Sequence, residues 1–144
     1  MNKKLTLYME TTKKTPEQTA SEIQKLMSNY ELRHFMFAYE NGNISGVTFS
    51  IIVNDEELPF KLPINHLPLW GKAQQGLTRY IRDEEQARKV AWRQVYKWIQ
   101  SQLSLVDTGI RNITETFFSD LIVENDKTTY QLFLEKRPAL KEKS

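Results

Sequence analysis

From position 83 to 121 the chain contains no proline, and no glycine before Gly109. It opens Asp-Glu-Glu-Gln and continues Ala-Arg-Lys-Val-Ala-Trp-Arg-Gln-Val-Tyr-Lys-Trp-Ile-Gln. A fold for this chain must house that run as helix and give its apolar side something to cover. Asp83 is placed to cap the helix, because its carboxylate can accept from the free N–H groups of the first turn. Gln86 is placed to close a capping box, and Glu84 and Glu85 meet the positive end of the helix dipole. Ala87, Val90, Ala91, Val95, Trp98, Ile99, Gln102 and Val106 recur at spacings of three and four. Trp92, Tyr96 and Leu103 broaden the stripe, which fits a helix lying on a sheet. Val106, Ile110, Ile113, Phe117 and Leu121 carry the same face past Gly109. One long helix, bent at Gly109, is therefore expected. At about 1.5 Å per residue it would span more than roughly 50 Å.

What precedes this helix reads as a small sheet. Alternation at 4–9 predicts a strand. Thr15-Pro16-Glu17-Gln18 predicts a helix start with Thr15 as cap, proline at the first helical position and Gln18 closing a box. Ala20, Ile23, Leu26 and Met27 supply its buried stripe. Strands are predicted at 32–39, 44–53 and 58–64, joined at Asn41-Gly42 and Asn54-Asp55. Phe35, Phe37 and Tyr39 alternate with His34, Met36 and Ala38. Both faces of the first strand are thus largely apolar, which predicts a central position. Pro59 and Pro63 place the third strand at an edge. After the long helix, 122–127 reads as a short extended piece and a turn, and Thr128 as the cap of a last short helix.

Two registers are open at the first turn. A two-residue loop at Asn41-Gly42 puts Phe35, Phe37 and Tyr39 on the open side of the sheet, with Gly46 and Thr48, as a base-stacking platform. A three-residue loop with Gly42 in a bulge moves every side chain to the other face, where the aromatics join Val47, Phe49 and Ile51. The second is favoured, because it gathers the apolar groups and turns Thr48 and Ser50 outward.

The fold class expected is α+β: an antiparallel meander of three to four strands covered by an N-terminal helix and a long C-terminal helix. One domain is expected over 1–137, with a flexible tail at 138–144. The 40% hydrophobic content of the 144 residues is enough for a single real core. The absence of cysteine excludes disulfides and thiolate zinc sites and fits a reducing cytoplasm. No leader or membrane-spanning segment is read from the sequence.

Catalytic signatures are missing. His34 and His66 lack acidic neighbours at ligand spacing, and no phosphate-cradling glycine loop or nucleophile motif is present. No enzyme, cofactor or metal is expected. A net charge of +2 makes any basic site local. Lys89, Arg93 and Lys97, each four residues apart, line one side of the helix, with Arg82 and Arg88 near its start. Such rows are ordinarily solvated faces; a phosphate-contacting ridge is the sharper alternative. The irregular segment 65–82 interleaves Trp70 and Tyr80 with Lys72, Arg79 and Arg82, either as anchors of the segment or as a stacking and phosphate-binding arm.

Leu7-Tyr8-Met9-Glu10-Thr11-Thr12, Tyr39-Glu40-Asn41-Gly42, Ala91-Trp92-Arg93, Trp98 and the run from Gln102-Leu103-Ser104-Leu105 to Val106-Asp107-Thr108-Gly109 together resemble small accessory proteins of bacteriophages and prophages. That resemblance implies action in the cytoplasm of a host cell and carries over no functional residue. The order helix, three-stranded meander, helix with basic residues near its start is also similar to the double-stranded-RNA-binding domain, and more loosely to single-strand annealing proteins. Fold-level likeness of this kind carries little about function. The expected function is nucleic-acid binding, to single or double strands. Phosphates would meet Lys72, Arg79, Arg82, Arg88, Lys89, Arg93 and Lys97, and bases would stack on Trp70 or Tyr80. The competing expectation is a protein-interaction module, either an inhibitor of a host defence enzyme or a self-assembling subunit. Apolar residues left exposed between 110 and 121 would favour it.

Overall fold

The computed structural model describes residues 7–71 and 81–137; the expected tail at 138–144, residues 1–6 and residues 72–80 lie outside them. The described chain is α+β, as expected. Helix α1 (Pro16–Met27) leads into an antiparallel meander of β1 (Leu32–Glu40), β2 (Asn43–Val53) and β3 (Glu56–Pro63), in spatial order β1-β2-β3. Helix α2 (Glu84–Asp107) follows, then a one-turn α3 (Ile113–Thr116), a small hairpin of β4 (Ile122–Glu124) and β5 (Lys127–Thr128), and α4 (Thr129–Lys136).

Local chemistry accounts for most of these boundaries. The Thr15 hydroxyl accepts from the Gln18 N–H at 3.1 Å while the Gln18 side chain accepts from the Thr15 N–H at 2.9 Å. The same box closes α4 through Thr128 and Gln131. Both meander turns have two residues with positive φ, Asn41-Gly42 (50° and 78°) and Asn54-Asp55 (50° and 66°). That is the turn whose twist matches the strands it joins.

Both helices lie on one face of the sheet. Ala20, Ile23 and Met27 of α1 and Trp92, Ile99 and Leu103 of α2 are buried with Val47, Phe49, Ile51, Phe60 and Leu62. Each such large side chain contributes about 1.5–3 kcal/mol by leaving water. A second, smaller cluster joins Leu7, Leu69 and Trp70 to Ile81, Ala87 and Val90.

The structure corrects several expectations. The long helix does not run through Gly109. It ends at Asp107, with Thr108 as C-cap, and Gly109 takes a φ of +81°. The Gly109 N–H donates to the Val106 carbonyl at 3.1 Å and the Arg111 N–H to the Leu105 carbonyl at 3.2 Å, so the last-turn acceptors are satisfied by chain that turns away. The apolar face beyond still reaches the core. Phe117 is fully buried, with ring centroids 5.7 Å from Phe49, 6.0 Å from Phe60 and 5.7 Å from Trp98.

The second correction concerns 4–9: residues 7–9, its described part, begin a turn, closed by Glu10 N–H to Leu7 O at 3.1 Å. Gln86 fixes that turn. Its amide donates to the carbonyls of Glu10 (3.0 Å) and Thr12 (2.8 Å) and completes no capping box. The third concerns β1, which is an outer strand. It pairs with β2 alone, and the central position belongs to β2. The fourth concerns the first turn. The loop has two residues, because Glu40 pairs with Asn43, and the extra residue is Ser45: Tyr39 lies opposite Ile44 while Ala38 lies opposite Gly46. This bulge brings Phe35 opposite Phe49 and Phe37 opposite Val47. The aromatics therefore share the covered face, as favoured, by a different device.

Candidate functional site

The helix ridge is the first candidate, and its residues do not share one environment. Arg93 is only 9% exposed. Its guanidinium is paired with Glu22 of α1, donates to the Thr19 hydroxyl at 3.4 Å and lies 4.4 Å from the Tyr96 ring centre. The face that reads as solvated is in part the seam against α1, and Arg93 is its polar core. Burial pushes the Glu22 carboxyl upward, but the Arg93 hydrogen bond and charge, helped by Lys14, hold it below the usual range. Arg88 is paired with Glu84 at 3.1 Å and with Glu85. Lys97 lies 5.8 Å from the Tyr96 ring. Lys89 and Lys97 are half-buried and Arg82 is exposed. Among the described residues no carboxylate forms an ion pair with any of these three. Trp70 is an anchor. Its indole N–H donates to the Arg82 carbonyl at 3.1 Å, and its ring packs with Ile81, Ala87 and Val90. Lys72, Arg79 and Tyr80 lie outside the described residues.

The start of α2 therefore carries little net field. Arg82, Arg88 and Lys89 stand beside Asp83, Glu84 and Glu85. Three carboxylates at this end oppose contact with phosphate.

Both histidines find carboxylates that the sequence does not place beside them. On the face of the sheet opposite the two helices, His34 Nδ1 lies 2.8 Å from Glu57 Oε2 and 3.2 Å from Ser50 Oγ. The Ser50 hydroxyl donates to Glu57 at 2.7 Å. These bonds, Ser50 first and His34 next, hold the Glu57 carboxyl low. The serine proton is directed at the carboxylate and not at the imidazole, which is not the geometry of an activated nucleophile. His66 Nε2 lies 3.0 Å from Glu84 Oε2 at the mouth of a cavity of about 260 Å³ lined by Glu40, Asn43, Arg88 and Trp92. That is below the usual size of about 300–1,000 Å³ for ligand sites. Among the described residues no group of three histidine, cysteine or acidic side chains is arranged to hold a metal ion, and no helix is long and apolar enough to cross a membrane.

The third candidate is the outer edge of β1. Among the described residues nothing pairs with that side of the strand. Met36 and Tyr39 are each 62% exposed and Phe37 is 38% exposed. Phe35 is half-buried against the core, and the Phe35 and Phe37 rings meet edge to face at 5.4 Å. Phe35 to Tyr39 is a run of five uncharged residues on an open edge. Arg33 and Glu40 bracket it, both exposed, and neither has an ion-pair partner among the described residues. The sequence signal for this site is the apolar character of both strand faces, which by itself points to burial. Compared with protein-family models, curated proteins and solved structures, the chain matches none.

Proposed function

We propose that this chain is a protein-interaction module that works by binding, and that it accepts an extended segment of another polypeptide along the outer edge of β1. The observation that carries the proposal is the unpaired edge itself. Along the outer side of the nine-residue strand, alternate residues present backbone donors and acceptors that are unpaired among the described residues, beside exposed Met36, Phe37 and Tyr39. Strand addition draws affinity from main-chain hydrogen bonds and specificity from the alternate side chains. Further exposed apolar groups, Ile110 at 70% and Phe118 at 52%, lie between 110 and 121, where exposure favours an interaction protein over the alternatives. If the likeness to phage accessory proteins holds, the partner is a host protein or another copy of the chain.

The test is a selection of linear ten-residue peptides against the immobilised protein, followed by mapping of binders on the isotope-labelled protein by amide chemical shift. Shifts centred on 32–40 are expected, and they should vanish when alternate peptide nitrogens are methylated. Binders that map elsewhere, or that tolerate methylation on both edges, would overturn the proposal.

Nucleic-acid binding is the second reading. Its support is narrower: Arg82, Lys89 and Lys97 remain without carboxylate partners among the described residues. An electrophoretic shift at low salt that disappears steeply as salt rises would favour it. No shift with either single- or double-stranded probes would remove it.

A further inference from the structure

Strand addition at β1 leaves the partner open, and the residues of β1 narrow it. We propose that the strand's partner is a second copy of this chain, paired antiparallel about a two-fold axis at Met36 to make one continuous six-stranded sheet. This rests on the strand-addition proposal above.

Three features of β1 are complementary to β1 itself. A two-fold at Met36 sets Phe35 opposite Phe37 of the second copy, and Phe37 opposite its Phe35. In each copy these two rings already meet edge to face on the helix-covered side. Four rings would then form one cluster over the junction, in the directly opposed positions where cross-strand side chains interact most strongly. On the uncovered side Met36 meets Met36, and Ala38, the smallest side chain of the strand, lies opposite His34. His34 is drawn sideways toward Glu57 and Ser50, so it leaves room for the incoming strand.

The ends complete the match. Arg33 lies near the start of β1 and Glu40 at its end. Antiparallel pairing about Met36 brings Arg33 to the level of Tyr39 and Glu40 of the second copy, at both ends of the junction. A parallel arrangement would set like charges side by side. Opposite charge at the rim fixes register and orientation in this way. Because the two-fold is perpendicular to the sheet, the helices of both copies stay on the same face, and the contact is isologous and closed. A single strand pair falls at or below the smaller stable interfaces, which bury about 1,200 Å². The dimer is therefore expected to depend on concentration.

The experiment measures mass in solution by sedimentation for wild type, Arg33→Glu, Glu40→Arg and an equimolar mixture of the two variants, with circular dichroism to confirm that each variant is folded. Both changes are on exposed side chains. The expected result is a concentration-dependent wild-type dimer, a dissociation constant raised at least tenfold for each variant alone, and recovery of the dimer in the mixture. In the mixed pair an acidic side chain again faces a basic one at each end of the junction. A dimer indifferent to both substitutions would overturn the proposal, since another face must then hold it. So would two monomeric variants that fail to pair when mixed. A wild type that stays monomeric at millimolar concentration would also overturn it. If peptides still shift the 32–40 amides in that case, strand addition stands with a foreign partner; if no peptide binds there, both proposals fall.

Discussion

The two outer strands of one sheet are finished in opposite ways. On β3, Pro59 and Pro63 remove ladder donors, and Glu56, Glu57 and Lys61 add charge. Its flank also receives a bridge, Phe60 to Leu121, and the Lys61 ammonium lies 3.4 Å from Asp126 of the small hairpin. These are the usual means of keeping an edge from pairing. β1 has no proline, its charges stand only toward its ends, and among the described residues nothing lies beside it. Among the described residues one edge is protected by several independent means and the other is bare, which supports the proposed use of the bare one.

The largest effect is expected where the guarded edge is held down. Phe117→Ala removes the ring that ties Phe49, Phe60 and Trp98 together, and should cost about 3–5 kcal/mol in chemical denaturation. If β3 is guarded as described, this variant should also lose exchange protection at the Phe60 amide, because the cover of the strand loosens with it. Arg93→Met tests the seam between the helices, away from both edges. Leaving Glu22 with Lys14 alone, 3.7 Å away, should cost about 1–3 kcal/mol, less than for a fully buried pair because Glu22 is partly exposed. Because the Glu22 carboxyl is held below 4.5, its contribution is present above that value and is lost as pH falls through the lowered one. Wild type should therefore lose more stability than Arg93→Met on acidification below about pH 4.5.

A smaller and opposite effect is expected at Asp120, in the cover of β3. Burial pushes its carboxyl from 3.8 up to about 6. A raised carboxyl is stabilising while protonated, and that benefit fades as pH rises through about 6. Asp120→Asn should then gain on the order of 1 kcal/mol at pH 8, discounted for partial exposure, and nothing at pH 4. Equal gains at both pH values would show that burial of the charge is not the cause. The smallest change in stability belongs to Met36→Lys, within about 0.5 kcal/mol, since the side chain is exposed. Its effect should instead be to give β1 the kind of guard that β3 has, abolishing peptide binding at 32–40. Undiminished binding would sink the contrast.

How much of this can be read from the sequence follows from the range of each interaction. The capping box at Thr15, the cap at Thr128 and the positions of the turns at Asn41 and Asn54 involve neighbours, and they are legible; the loop length at Asn41-Gly42 is not, because the extra residue, Ser45, lies beyond the turn. Pro59 marks an edge for the same reason: a missing donor is a property of one residue. Gly109 carries both a stop and a continuing apolar stripe, and the stripe outweighs the stop on paper because its later members do return to the core. Arg93 reads as solvated because its partner, Glu22, lies 71 positions away on another helix. The carboxylates beside His34 and His66 are hidden likewise. For β1, periodicity shows which side chains are apolar and does not show whether a neighbour arrives to bury them. The candidate site lies in that gap.

The tight turns of the meander have a consequence in time. Within the main sheet the ladders join strands that are neighbours in sequence, so little chain entropy is lost in closing each hairpin, and formation on the microsecond scale is expected. During synthesis β1, β2 and β3 leave the ribosome before α2, and at ordinary translation speed the interval is on the order of seconds. Through that interval Val47, Phe49 and Phe60 are sheltered only by α1. The nascent chain is then most vulnerable to sticking to its neighbours on a polysome, and the bare strand is already formed.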